Sequence, residues 1–509
     1  MVAHINTIAF EGINSTDIDI QVHISSGLPA FNIVGLPDKA IGESKERIRS
    51  ALSAMGLALP SSRITVNLAP ADVLKEGSHY DLPIALGILS SMGVIPAEEI
   101  INYIVLGELS LDGSITKVAG ILPAAIHANE SNKGIICPKD NGFEACWAGD
   151  ITIYAPDHLL SLINHFKGTQ ILSPTTLSSP HKNIQENFKY PDMADIKGQE
   201  SAKRALEIAA AGSHNLLMIG PPGAGKSMLA ERLPGIIPEL SSQEMLEVSM
   251  ISSITNKIED GNLVRKRPFR DPHHGCSIAA MVGGGKKAMP GEITLAHNGI
   301  LFLDELPEFP RTVIDSLRQP LETGKVTVSR AAAHITYPAN FQLVAAMNPC
   351  RCGYLDDQSR SCKKAPICGQ DYQSKISGPL MDRFDLHIQV PAVSPADLYK
   401  APPKEGTKEI RERVVKAREK QIQRYKNLDI RTNSQANGDL LQEITKTSQE
   451  GHELLHHAYD KMQLSMRGFN RILRVSRTIA DLENSENVEK NHISEALSYR
   501  QLQFNKQVA

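Results

Sequence analysis

At 509 residues the chain is roughly three to four times a typical domain of about 150, so several domains are expected, each able to bury its own core. An apolar content of 41%, a charged content of 22% and no apolar run near the roughly 18 residues of a membrane span exclude a disordered chain and an integral membrane protein. A formal net charge of −3 excludes a globally basic nucleic-acid binder, leaving only local concentrations of charge as a route to such a partner. The first residues lack a basic start, an apolar core and a small-residue cleavage site, so cytoplasmic residence is expected. In that reducing compartment the seven cysteines are expected to be free, metal-bound or catalytic.

From residue 1 to about 165, strand-like runs such as IDIQVHI and RITVNLAP alternate with helical stretches such as KAIGESKERIRSALSAMG, the pattern of an α/β domain. Residues 166–192 are polar, contain three prolines and show no sustained period, which marks a linker. A second α/β domain is expected over 193–392. Beyond it, over 393–509, the chain reads as helical and heavily charged. In KEIRERVVKAREKQIQRYKN, Ile410, Val414, Val415, Ile422 and Tyr425 recur at helical spacing and predict one buried face.

Within the second domain, NLLMIGPPGAGKSMLAERL sets an apolar strand before Gly220, Pro221, Pro222, Gly223, Ala224, Gly225, Lys226 and Ser227, and a helical run follows. This is a phosphate-binding loop in the required strand, loop and helix context. Its amides would cradle the phosphates of ATP, Lys226 would neutralise the β and γ oxygens, and Ser227 would ligate Mg2+. Downstream, GILFLDE places Asp304 and Glu305 at a strand tip, the first to hold magnesium and the second to polarise the attacking water as general base. A third apolar run, FQLVAAMN, ends in Asn348, whose amide could orient that water. SGPLMDRFD supplies Arg383 as a candidate finger for a neighbouring subunit's nucleotide, and LSMRGFNRILRVSRTIADLE supplies Arg467, with Arg471 as competitor.

Between the loop and the acidic strand, residues 261–290 carry Arg265, Lys266, Arg267, Arg270, Lys286 and Lys287 against Asp271 alone, a local charge of +5. An insert over about 261–295 with VGGGKK at a hairpin tip would let Lys286 and Lys287, aided by Arg265, Arg267 and Arg270, hold DNA phosphates without reading bases. A solvated loop is the competing reading. His273 and His274 are adjacent, so packing or phosphate contact is expected of them rather than a shared metal. Just after Asn348, Cys350, Cys352, Cys362 and Cys368 crowd a polar stretch with too few apolar residues to fold unaided. Structural Zn2+ is expected there, with an iron–sulfur cluster or free thiols as alternatives and no part in phosphate chemistry. Cys137, Cys146 and Cys276 read as ordinary core or surface thiols.

The stretches DIKGQESAKRALEIAAAGSHNLLMIGPPGAGKSMLAERL, RPFRDPHHGCSIAAMVGGGKKAMPGEITLAHNGILFLDELPEF and SGPLMDRFDLHIQV together resemble the ComM (YifB) family, over nearly the whole chain. That family is similar to the magnesium-chelatase ATPase subunit, of the AAA+ class with an insert in helix 2. The resemblance implies three folds: an α/β domain like the Lon proteolytic domain (ribosomal S5 domain 2-like), an AAA+ P-loop core, and a helical lid. It also implies a homo-hexameric ring in which Arg383 reaches a neighbour's nucleotide. The implied activity is ATP-driven helicase or translocase work on single-stranded and branched DNA, with branch migration during natural transformation and recombination proteins among the partners. For the cysteines it supports a cluster, although the family's last pair is tighter than the spacing found in this chain.

LKEGSHYDLPIALGILSSMG and LGELSLDGSITKVAGILPAA carry the likeness to Lon. Aligned on them, His79 stands at the nucleophilic serine position and Leu122 at the lysine position, so no peptidase is expected. A Ser78–Lys117 dyad would require both alignments to slip. A chelatase-like ATPase that remodels a protein partner is the rival reading, and the basic insert and fused first domain favour DNA.

Overall fold

A computed structural model describes residues 2–177, 190–285, 288–329, 334–355, 364–393 and 405–500. The N-terminal domain opens with β1 (Val2–Glu11) and β2 (Asn14–Ser25), an antiparallel hairpin turning between Glu11 and Asn14. Alternation along β2 sends Ile18, Ile20 and Val22 inward, as period two requires of a half-buried strand. With β3 (Ala30–Val34), β4 (Arg63–Ala69), β5 (Tyr103–Val105), β8 (Gly134–Ile136) and β9 (Ile153–Tyr154) they form a seven-stranded sheet ordered β3-β4-β2-β1-β5-β8-β9. A small hairpin, β6 (Glu108–Leu109) with β7 (Ile115–Thr116), stands apart from it.

His79 is buried in this domain against Phe10 and Tyr80, its Nε2 3.0 Å from the Ile8 carbonyl, and burial lowers its pKa to about 4. Leu122 is fully buried, and its amide donates to Glu144 at 3.1 Å. Ser78 donates to Glu108, whereas Lys117 donates to the Ile258 carbonyl of the ATPase domain at 3.2 Å, so the two members of a slipped dyad serve different partners. The Lys117 contact belongs to a junction: Gly120 N donates to Ser253 O at 3.1 Å and Trp147 Nε1 to Gly261 O at 3.0 Å.

The central sheet contains β10 (Leu216–Ile219), β11 (Phe269–Arg270), β14 (Ile300–Leu303), β17 (Gln342–Met347) and β18 (Leu386–Gln389), all parallel, in the order β11-β14-β17-β10-β18. Every residue of β10, β14 and β17 is buried, which is why these strands read as continuous apolar runs: helices cover both faces of a parallel sheet. Two hairpins project from it, β12 (Gly283–Gly284) with β13 (Met289–Pro290), and β15 (Lys325–Ser329) with β16 (His334–Pro338). The second was not singled out in the sequence, although Val326 and Val328 alternate inward along it.

In the helical C-terminal region, the Thr407–Arg424 helix departs from its expected face. Ile410, Val414 and Tyr425 are buried, but Val415 is only partly covered and Ile422 is 61% exposed. Gln421 takes the inward position instead, because its amide can satisfy the Ala211 carbonyl and the Asn433 amide that face it, at 3.0 and 2.9 Å. No helix among the described residues is long and apolar enough to cross a membrane.

Candidate functional site: two edges of the central sheet

Parallel register brings the carboxyl ends of three strands together, with Ile219 beside Met347 and Leu303 beside Ala345. The residues that follow those ends therefore meet. Gly220 passes so close to the Val390 carbonyl that a Cβ would lie 2.0 Å from it, while Gly225 turns the chain at φ 87° into the Lys226–Ile236 helix. Lys226 Nζ donates to the carbonyls of Gly220 at 2.8 Å and Pro221 at 2.9 Å and to Asn348 Oδ1 at 3.1 Å. Burial lowers its pKa, opposed by the charges of Asp304 and Glu305. Sequence-predicted Lys226 and Asn348 are thus in direct contact.

Ser227 Oγ donates to Asp304 Oδ2 at 2.6 Å. A hydroxyl and a carboxylate oxygen are ligands magnesium accepts, and their separation is a little under the roughly 2.9 Å edge of its oxygen octahedron, so the pair would part slightly around an ion. Glu305 follows in left-handed backbone at φ 51°, its amide on Asp304 Oδ1 at 2.8 Å and its half-exposed carboxylate turned to His274, whose Nδ1 is 3.5 Å away. The two adjacent histidines stack on each other at 4.1 Å rather than diverging, and His274 faces Glu305, a neighbour the sequence reading missed. Only the β11–β14 pairing reveals that proximity.

Arg383 and Arg467 lie elsewhere. A cavity of about 1040 Å3 opens at the amino ends of the same strands, lined by Asn215, Gly299 and Gln342 together with Arg383, Arg467 and Arg471. Arg383 is buried, paired with Glu322 and donating to Pro379 O at 2.9 Å, and its Nε has no hydrogen-bond partner among the described residues. Burial lowers its pKa, with the Arg467 and Arg471 charges adding to the effect against Glu322. Arg471 donates to buried Asp385 at 3.2 Å, whereas Arg467 is exposed. Between the two competitors, Arg467 is the arm at the surface.

The basic segment divides. Arg267 spends its guanidinium on the carbonyls of Pro238, Glu239 and Asn298 and pairs with Glu244 at 3.5 Å; Arg270 forms a two-point pair with Glu292 at 2.6 and 2.8 Å. Internal bonds of this kind explain both without DNA. Arg265 is exposed, and Lys286 and Lys287 lie outside the described residues.

Cys350 and Cys352 bring their sulfurs to 3.1 Å, and Cys362 lies outside the described residues. Among the described residues no three metal-ligating side chains converge. The cysteine turn also packs against the phosphate loop: a Cβ on Gly353 would fall 2.5 Å from Pro222 Cδ. Cys137 is buried and Cys146 and Cys276 half-buried, all three free.

Residues 192–398 match the family model of magnesium chelatase, subunit ChlI; residues 20–141 match that of subunit ChlI of Mg-chelatase, and 404–500 match the ChlI C-terminal model. The YifB protein of Escherichia coli K12 is 42% identical over 498 residues, covering 97% of this chain and 96% of its own length. Competence protein ComM of Haemophilus influenzae is 42% identical over 497 residues, 96% of this chain and 95% of its own. The magnesium-chelatase 38 kDa subunit of Rhodobacter capsulatus is 25% identical over 335 residues, 60% of this chain and 86% of its own. An ATP- and magnesium-using AAA+ domain accords with the loop, strand tips and oxygen pair described above. Across nearly its whole length, the chain belongs to the ComM (YifB) family of magnesium-chelatase-like AAA+ proteins.

Proposed function

We propose that the protein is a hexameric, ATP-hydrolysing DNA motor, a helicase or translocase that migrates branches while incoming DNA is integrated in natural transformation. The observation that carries the reading is the split between the two edges: Lys226, Ser227, Asp304 and Asn348 gather at the carboxyl ends of the strands, and Arg383 and Arg467 at the amino ends. A four-residue strand spans about 13 Å. The arginines therefore serve a second copy's nucleotide, and the site is complete only between subunits. A competence role is supported by the name of the Haemophilus relative, and contact with DNA by exposed Arg265 and by the sequence VGGGKK, whose Lys286 and Lys287 lie outside the described residues.

In the reaction, the loop amides and Lys226 hold the phosphates, Ser227 and Asp304 hold the metal, and Glu305 takes the proton of the attacking water while Asn348 orients it. Magnesium, when bound, neutralises phosphate charge. Arg383, released from Glu322, and Arg467 stabilise the charge that develops on the neighbour's γ-phosphate.

Zinc on Cys350, Cys352, Cys362 and Cys368 is part of the same proposal, in a bracing role. The 3.1 Å pair is tighter than the roughly 3.7 Å edge of a tetrahedral thiolate site, so the turn would open slightly around an ion. Elemental analysis of wild type and Cys350→Ser/Cys352→Ser tests it: equal, near-zero zinc in both removes the ion from the account.

Strand exchange on synthetic three- and four-stranded junctions with ATP and Mg2+ tests the motor. Wild type should dissociate the junctions, and Glu305→Gln and Lys286→Ala/Lys287→Ala should not. The match of all three segments to chelatase subunit models favours a second reading, remodelling of a protein partner. ATP hydrolysis without junction binding or movement would select it.

A further inference from the structure

The helical C-terminal region carries a motif that the nucleotide site does not use. Residues 452–456 read His-Glu-Leu-Leu-His, the H-E-x-x-H spacing in which two histidines on one helix face hold a metal ion. They lie in the Gln449–Met462 helix, which Ser448 caps by accepting from Gly451 N at 3.3 Å. Gly451, Leu455 and Ala458 are its buried residues, with Gly451 packed close to Ile493 of the Lys490–Ser498 helix. His452 and His456 each follow one of these inward residues, so they stand one turn apart on the flank of the helix, both exposed.

The two rings face each other, with centroids 4.6 Å apart and planes inclined at 43°. Neither ring has a hydrogen-bond or ion-pair partner among the described residues, so both imidazoles keep a nitrogen to offer. A ring nitrogen bound at about 2.0–2.1 Å puts its ring centre about 3.2 Å from the ion. At that radius a separation of 4.6 Å subtends about 90°, the angle between neighbouring positions of a tetragonal ion, whereas a tetrahedral ion would part the centres to about 5.2 Å. Imidazole in such a geometry suits Cu2+ and Ni2+, while hard Mg2+ takes oxygen.

The same motif makes a metallopeptidase centre only with a third protein ligand and a glutamate placed as base. Among the described residues no third ligand converges, and Glu453 accepts from Gln449 Nε2 at 3.4 Å on the helix surface. The arrangement offers an ion two ligands and lacks the parts to cut a peptide. His457, about 100° further round the helix than His456, stays outside the pair.

We propose that His452 and His456 form a site for one divalent transition-metal ion of the Cu2+ and Ni2+ class, with water in its remaining positions. The site is separate from the cysteine cluster and from the magnesium ligands at the nucleotide.

The test is calorimetric titration of the full chain with Ni2+, which does not oxidise thiols, in an excess of Mg2+. The variants are His452→Asn, His456→Asn, His457→Asn and Cys350→Ser/Cys352→Ser. Wild type should take up one equivalent whose affinity falls by more than about 100-fold in His452→Asn and in His456→Asn, since losing even an outer partner of a ligand costs about 10- to 100-fold. His457→Asn and the cysteine variant should retain that equivalent. Ni2+ should also raise the resistance of wild type to chemical denaturation and leave His452→Asn unmoved, because an ion that binds only the folded helix stabilises it. Both histidines are exposed, so the metal-free variants should match wild type in circular dichroism. No uptake by wild type, equal uptake by wild type and His452→Asn, or a loss as large in His457→Asn would each overturn the proposal. Loss of the equivalent in the cysteine variant, with both histidine variants unaffected, would assign the ion to the thiols and overturn it as well.

Discussion

The two edges of the central sheet are built from the same strands and behave as opposites. At the carboxyl ends, Lys226 meets Asn348 at 3.1 Å and Ser227 meets Asp304 at 2.6 Å. At the amino ends, Arg383, Arg467 and Arg471 line a cavity of about 1040 Å3, and the Nε of buried Arg383 lacks a partner among the described residues. One edge is satisfied within the chain, while at the other Arg383 pairs with Glu322, Arg471 with Asp385, and Arg467 is exposed. On the proposed function, the first edge would bind a nucleotide and the second would answer to a neighbour's.

The largest effects should come from breaking the first edge. Glu305→Gln is expected to slow hydrolysis by about 100- to 1000-fold, on the scale of losing one preorganised catalytic group, with ATP affinity kept. Lys226→Ala should also lose ATP binding, measurable by titration with a fluorescent analogue. Arg383→Ala should cost a similar factor in rate, yet leave the affinity of each subunit for ATP within about twofold. Mixing sharpens the distinction: Glu305→Gln and Arg383→Ala subunits, each inactive alone, should regain measurable hydrolysis when combined, because some interfaces then pair an intact base with an intact finger. Failure to complement would place Arg383 with its own nucleotide and collapse the contrast between the edges.

Legibility in the sequence followed the same division. Asp304 and Asn348 each follow directly on a buried strand, so the first polar residue after the run locates them, and Lys226 is located by the glycine-rich motif that follows β10. That His274 faces Glu305 depends on strand order, which no local pattern encodes. Arg267 and Arg270 read in sequence as aids to holding DNA phosphates because their partners, Pro238, Glu239, Glu244 and Glu292, are far from obvious in sequence, and a count of charges cannot see a carbonyl. The cysteine turn was legible as a cluster, but its contact with Pro222 is a matter of backbone proximity.

A smaller effect distinguishes the two lid arginines. Asp385 is buried, and although burial pushes its carboxyl up, the neighbouring His214 ring, its Nδ1 3.6 Å away, and the charge of Arg471 hold it well below the usual carboxylate range. Arg471→Ala removes part of that compensation and should destabilise the protein by about 3 kcal/mol, the lower end for breaking a buried pair. Arg467→Ala, at an exposed position, should change stability by less than about 0.5 kcal/mol and act on hydrolysis instead. Chemical denaturation beside the rate measurement reads both. Equal destabilisation by the two variants would mean that Arg467 is also built into the fold.

The smallest effect tests how the lid helix meets the arginine edge. Gln421 is fully buried, donating to Ala211 O and accepting from Asn433 N, while the adjacent Ile422 is exposed and lines the cavity. Gln421→Leu keeps the volume but leaves a buried carbonyl and a buried amide unmet, at a cost of about 1–3 kcal/mol. Ile422→Ser removes an apolar side chain that gains little from burial in a single subunit, so denaturation of the isolated chain should shift by no more than about 0.5 kcal/mol. If a neighbouring subunit covers the cavity, the same isoleucine becomes buried on assembly. Ile422→Ser should then weaken assembly by about 1–2 kcal/mol, within the range for an aliphatic side chain moved from water to an apolar contact, and sedimentation across a concentration series would record it. A variant that loses neither stability nor assembly would mean that the cavity rim stays in water, and the neighbour would have to reach Arg383 from another side.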